Sequence, residues 1–151
     1  MDHNFLGTVR VIDAFTPHLV QRGGGTIVTV SSGIGFLPFP LMPTYAASKA
    51  AVHAYSEALR AQLAGTGVDV AELVPPAVRT QMGSSNPHAL DVGAFGEEVM
   101  DLLAQDPTPH EVLVRGVLMH RWAEHDSTYD ELVEQRSAFC WHPVRRPRSA
   151  R

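Results

Sequence analysis

Tyr45 and Lys49 stand four residues apart in the stretch Tyr45-Ala46-Ala47-Ser48-Lys49. On a helix that spacing puts both side chains on one face, a single turn apart. A phenol beside an ammonium can act as a general acid or base. A free phenol has a pKa of about 10, so work near neutral pH requires lowering it by roughly three units, about 4 kcal/mol of preferential phenolate stabilisation. An adjacent positive charge acts in that direction. Taken alone, Tyr-x-x-x-Lys is a common coincidence of a packed tyrosine and a solvated lysine. Ser32 gives the pair a context. It lies 13 residues before Tyr45 and closes a short apolar run, the position at which an open parallel sheet places its ligand crevice.

The elements that must position these residues follow from the apolar periodicity. Phe5, Leu6, Val9, Ile12, Phe15 and Leu19 recur at spacings of three and four, which predicts a helix from Phe5 to Val20. Pro17 predicts a kink or an approaching end, and Gly23, Gly24 and Gly25 a turn. Thr26 to Val30 is β-branched without polar alternation, which predicts a strand buried on both faces of a parallel sheet. Gly33 to Pro43, with two glycines and three prolines, is expected to be a loop over the carboxyl end of that strand. Thr44 is a candidate cap for a helix from Tyr45 to Ala64, its apolar side formed by Ala47, Ala51, Val52, Tyr55, Leu59 and Leu63. Gly65 and Gly67 end it, and Val68 to Val74 reads as a second buried strand, completing a strand, helix, strand unit.

Pro75 and Pro76 close that strand. Thr80 to Val92 is polar, glycine-containing and irregular, and is expected to be a mobile surface segment. Phe95 to Leu103 reads as a short amphipathic helix, Glu111 to Val114 as a third strand, and Leu118 to Phe139 as a mostly helical final element. The tail from Pro143 to Arg151 is basic and expected to be disordered. Its Arg145, Arg146, Arg148 and Arg151 read as a solvated tail and not as a nucleic-acid site.

Strand, serine, tyrosine and lysine together carry a resemblance. Through Gly25-Thr26-Ile27-Val28-Thr29-Val30-Ser31-Ser32, then Tyr45-Ala46-Ala47-Ser48-Lys49-Ala50-Ala51-Val52, the chain resembles the short-chain dehydrogenase/reductases. Asn4 with Gly7 extends the match to the helix that precedes the serine strand in that family. After the second strand the family usually has Pro-Gly-x-Val-x-Thr. Pro75-Pro76-Ala77-Val78-Arg79-Thr80 keeps the proline, valine and threonine and replaces the glycine. The double proline, with Phe95 to Leu103, Glu111 to Val114 and Tyr129 to Leu132, is similar to a subgroup of bacterial oxidoreductases related to the DltE proteins.

The resemblance implies an α/β fold, an incomplete Rossmann-like doubly wound parallel sheet over residues 1–142 that corresponds to the C-terminal half of the family domain. It implies hydride transfer between NADP or NAD and a small-molecule carbonyl or alcohol. Tyr45 would be the general acid/base. Lys49 would lower the phenol pKa and bond the nicotinamide ribose, Ser32 would orient the substrate oxygen, and Asn4 would hold a proton-relaying water. Tyr45, Lys49, Pro75, Val78 and Thr80 would line the cofactor. A homodimer or tetramer follows from the two long helices through which many members associate.

A family member also has a strand and a glycine-rich turn that opens a helix under the dinucleotide pyrophosphate. Gly33-Ile34-Gly35 imitates that turn only in part, since it runs on into Pro38 and Pro40. The resemblance therefore implies that the nucleotide-binding half lies before Met1, and that this chain is a truncated form of the enzyme. The alternative is a noncatalytic interaction or dimerisation module derived from the family. Without the nucleotide-binding half, the strand Thr26 to Val30 would become an apolar sheet edge unless a partner covers it.

Composition excludes several other classes. At 151 residues and 44% hydrophobic content the chain can bury one ordinary core. The formal net charge of -4 gives no reason to expect nucleic acid or an anionic membrane as partner. No stretch approaches the roughly 20 apolar residues of a membrane span, and cytoplasm is the expected location. Cys140 is the only cysteine, so no internal disulfide can form. His120 and His125 are five apart, off the i,i+4 spacing of a helical metal pair, and are expected to face solvent; no metal site is expected. A Ser-His-Asp hydrolase lacks a Gly-x-Ser-x-Gly elbow around Ser31 or Ser32.

Overall fold

In the computed structural model, residues 1–80 and 86–138 are described. A π-helical turn over Asp2–Leu6 leads into α1 (Gly7–Arg22), followed by β1 (Gly25–Val30), α2 (Pro43–Gln62) and β2 (Val68–Val74). After them come α3 (Val92–Leu103), β3 (Glu111–Leu113), α4 (Leu118–Arg121) and α5 (Tyr129–Ser137). The strands form one parallel sheet in the order β1-β2-β3, a Rossmann-like α/β arrangement. No helix among the described residues is long and apolar enough to cross a membrane.

Local chemistry explains most boundaries. The first helix carries through Pro17, as a proline so near the end sacrifices little, and it stops at Gly23. Gly23 takes the left-handed conformation at φ 79°, and its N–H caps the carbonyls of Leu19 and Val20. The second helix starts two residues earlier than the sequence predicts. Pro43 occupies its first turn, where a missing N–H costs nothing, and Thr44 is not the cap. Asp91 caps α3 by accepting from the N–H groups of Gly93 and Ala94.

The core lies where α1 and α2 cover one face of the sheet. Ile12, Leu59, Leu63, Val68 and Val70 form a buried cluster, with Leu19, Ile27 and Tyr55 packed on it. The buried face of α2 is Ala46, Ser48, Val52, Ser56 and Leu59, whereas Ala47 is exposed and Ala51 and Tyr55 are half-buried. Two serines on that face are tolerated because their hydroxyls are bonded, Ser48 to the Tyr45 carbonyl and Ser56 to the Val52 carbonyl, each at 2.7 Å.

Three further sequence expectations are corrected. β1 is not buried on both faces: it is an edge strand, and Val28 and Val30 are 43% and 46% exposed. An all-apolar run reads as central unless the order of strands is known. The region after Leu118 is not one helix but two short ones, separated by the turn in which Ser127 takes φ 59°. His120 does not face solvent, as described below. Within the segment expected to be irregular, Thr80 to Val92, Leu90 forms an isolated parallel bridge with Val78. Residues 81–85 and the basic tail lie outside the described residues.

Candidate active site

The carboxyl ends of β1 and β2 converge on one region. Beyond Val30 the ladder extends by the Ser31 N–H donating to the Leu73 carbonyl at 3.0 Å, and the Gly33 N–H donates to the Pro75 carbonyl at 3.2 Å. Ser32 thus leaves β1 in extended conformation, and its Oγ accepts the Ile34 N–H at 3.4 Å. Gly33–Gly35 then forms a 3-10 turn.

That turn is pressed between two elements, and glycine is what allows it. A Cβ at position 35 would stand 3.0 Å from the Ala50 nitrogen and 3.0 Å from the Lys49 carbonyl carbon. A Cβ at position 33 would stand 2.4 Å from the Val117 side chain and 2.7 Å from His120 Nδ1. The serine-bearing loop therefore lies directly on the backbone of α2 at Lys49, with the Val117–His120 segment on its other side.

Tyr45 and Lys49 emerge from the first turns of α2. The Lys49 ammonium lies 5.7 Å from the centroid of the Tyr45 ring and donates to the Val30 carbonyl at 2.8 Å. Burial of the side chain lowers its pKa below the ordinary amine range. Because Val30 stands two residues before Ser32, one hydrogen bond joins the lysine to the strand that delivers the serine.

Asn4 belongs to the π-helical turn ahead of α1, where its carbonyl accepts from Thr8 Oγ1 at 3.1 Å. Together with Lys49, Thr8, Val28, Thr29 and Val30 it lines an open groove of about 450 Å³ along the free edge of β1. Tyr45, Ser32, Pro75, Val78 and Thr80 are not among its lining residues. Pro75 contributes its carbonyl to the Gly33 turn, Val78 is bridged to Leu90, and Thr80 is exposed. Pro76, which replaces the family's glycine, packs on Gly116, where an added Cβ would lie 3.1 Å from the proline Cβ.

Two residues near the loop give no sequence signal. Arg136 of α5 donates to the Leu37 carbonyl across 99 positions of chain. His120 is half-buried, with its Nδ1 enclosed and unbonded among the described residues. Burial, with Arg136 nearby, pushes its pKa down to about 4. Neither contact could be inferred from spacing, because each joins elements packed together only in the folded chain.

The fold is that of a Rossmann-like α/β protein in which a lysine beside a tyrosine ring is hydrogen-bonded to the edge strand that leads to Ser32. A family profile described as "short chain dehydrogenase" matches residues 1–91, and the chain belongs to that family. It is 42% identical over 83 residues to the uncharacterized oxidoreductase DltE of Bacillus subtilis, covering 55% of this chain and 33% of that protein. It is 35% identical over 138 residues to an NADPH-dependent 1-acyldihydroxyacetone phosphate reductase of Schizosaccharomyces pombe, covering 88% of this chain and 45% of that one. A short chain dehydrogenase from Burkholderia cenocepacia solved in complex with NADP superposes with a TM-score of 0.73 at 26% identity, over 95% of this chain and 58% of its own. The chain thus spans less than half the length of these two curated relatives.

Proposed function

We propose that this chain supplies the catalytic portion of an NAD(P)-dependent short-chain dehydrogenase/reductase acting on a carbonyl or alcohol. The observation that carries the reading is the Lys49 ammonium, held 5.7 Å from the Tyr45 ring and bonded to the strand that leads to Ser32. When bound, the nicotinamide supplies the hydride chemistry. Tyr45 gives the proton to the substrate oxygen in reduction and takes it back in oxidation. Lys49 stabilises the phenolate by its charge, and Ser32 holds the substrate oxygen. Asn4, which lines the same groove as Lys49, positions a water that relays a proton from solvent to Tyr45 in reduction and back to solvent in oxidation.

The residues present fit one end of the cofactor. An ammonium carries three donors, and Lys49 spends one on Val30, which leaves donors for the hydroxyls of a nicotinamide ribose. Pro75, Val78 and Thr80, on the segment that leaves β2, are assigned to the nicotinamide side. Among the described residues no glycine-rich turn opens a helix toward the groove, so the pyrophosphate needs further chain. The exposed edge of β1 is consistent with this portion belonging to a longer protein whose sheet continues beyond β1. NADP or NAD, the substrate, the dimeric or tetrameric state and a cytoplasmic location belong to the same reading.

The test is carbonyl-dependent oxidation of NADPH or NADH by protein carrying this sequence, compared with Tyr45→Phe. The expected loss in turnover is about 10² to 10⁴-fold, the usual worth of a positioned general acid. Turnover preserved in Tyr45→Phe would overturn the assignment.

A further inference from the structure

A buried carboxylate lies on the apolar face of the sheet, outside the site described above. Glu72 follows Val68 and Val70 in the same alternation along β2, so it points toward the side covered by α1 and α2. It is fully buried, and its Oε2 meets His53 Nδ1 of α2 at 2.7 Å. Its Oε1 is enclosed and has no partner among the described residues. Glu111 of β3 stands directly across from Glu72 in the parallel register, and its Oε1 lies 3.9 Å from His53 Nδ1. Two carboxylates opposite each other on neighbouring strands repel unless a cation lies between them.

We propose that His53, Glu72 and Glu111 form a divalent-cation site of the zinc type that pins α2 to β2 and β3. One nitrogen and two carboxylate oxygens suit a borderline first-row dication. The three potential ligand atoms lie within 4.8 Å of one another. Tetrahedral ligands about 2.1 Å from zinc are about 3.4 Å apart, and the observed separations of 2.7 and 3.9 Å bracket that value. Ligation requires the glutamates to close toward the ion from separations of up to 4.8 Å, and it places a cation beside Glu72, whose Oε1 has no partner among the described residues.

The surrounding residues are arranged as supports for such ligands. Arg121 Nε donates to Glu111 Oε2 at 2.8 Å, which leaves Oε1 to turn toward the ion while Oε2 keeps its guanidinium. The second Arg121 contact, Nη2 to Oε1 at 3.0 Å, is the one displaced, and the guanidinium retains its positions over the Phe36 and Trp122 rings. The other imidazole nitrogen, His53 Nε2, lies 3.7 Å from Glu57 Oε2, within ion-pair range. Phe36 covers the ring, with centroids 4.6 Å apart. Three carboxylates, Glu57, Glu72 and Glu111, face the Arg121 guanidinium and the His53 ring, and a dication would take the place of the ring proton between them. Helical spacing cannot reveal the cluster, since its members come from three elements and His53 is separated from Glu72 by 19 positions.

The test is a calorimetric titration of the chelator-treated chain with Zn²⁺, together with the visible spectrum after Co²⁺ addition. The expected result is one tight equivalent, a tetrahedral Co²⁺ absorption, and affinity reduced at least tenfold in both Glu72→Gln and Glu111→Gln. His125→Ala, at an exposed histidine that contacts Asp126 and the Trp122 ring, should leave the tight equivalent intact. If Glu72→Gln does not fold, Glu111→Gln and the wild-type Co²⁺ spectrum decide the matter. No tight equivalent, or binding unaffected by Glu111→Gln, would overturn the proposal and leave His53 and Glu72 as a hydrogen-bonded pair.

Discussion

The Lys49 ammonium donates to the Val30 carbonyl at 2.8 Å, and so ties the helix that carries Tyr45 to the strand that leads to Ser32. The Val30 residue is 46% exposed, so water can replace the lysine if it is removed. Lys49→Met should therefore cost no more than about 0.5–1.5 kcal/mol of stability. Loss of the charge beside the phenol should lower turnover by a far larger factor, with its pH optimum displaced to alkaline values. Denaturant melts and a pH–rate profile on the same preparation separate the two effects. Equal proportional losses in folding and turnover would contradict the assigned role.

Gly35 permits the serine loop to rest on α2. An alanine there would press on the Lys49 and Ala50 backbone at 3.0 Å, and backbone cannot rotate away as a side chain can. Gly35→Ala should destabilise the fold by about 1–3 kcal/mol, the range for overpacking. It should also reduce turnover, as the loop carries Ser32. Urea unfolding of the variant checks the first part, and an unchanged midpoint would show that the loop gives way freely.

Thr29 Oγ1 and Ser56 Oγ share a buried hydrogen bond of 2.7 Å between β1 and α2. Ser56→Ala strands the Thr29 hydroxyl, whose remaining contact is the Ala71 carbonyl at 3.5 Å. A cost of about 1–3 kcal/mol is expected for the orphaned group. Removing both hydroxyls, with Thr29→Val added, should cost less than the sum of the single changes. A double-mutant cycle in urea measures that coupling.

His120 sets a pH dependence of stability. Its folded pKa is about 4, below the ordinary value of 6.5, because burial disfavours the charged ring. The unfolded chain takes up that proton more readily. The stability from a neutral His120 is complete above about pH 6.5 and is lost as pH falls toward 4. His120→Gln should flatten the unfolding midpoint across this window relative to the parent chain. Parallel curves for the two proteins would show that other groups govern the acid limb.

The alternation and spacing of apolar residues determined that this chain builds parallel strands joined by helices. The boundaries of β2 were legible because a short, mostly apolar stretch, preceded by Gly65 and Gly67 and closed by two prolines, has few other ways to fold. Tyr45 and Lys49 were legible as neighbours because four residues make about one helical turn. The order of strands was not legible. Local sequence alone read β1 as buried on both faces, and only the resemblance pointed to an edge, which is where the strand lies.

Tertiary packing alone placed His120 against Gly33, Arg136 on the Leu37 carbonyl, and His53 with two glutamates from different strands. Each of these contacts joins segments whose separation along the chain carries no periodic signal. Their partners are chosen by which helix lies over which strand, a decision made by burial of the whole core and not by any single stretch of residues.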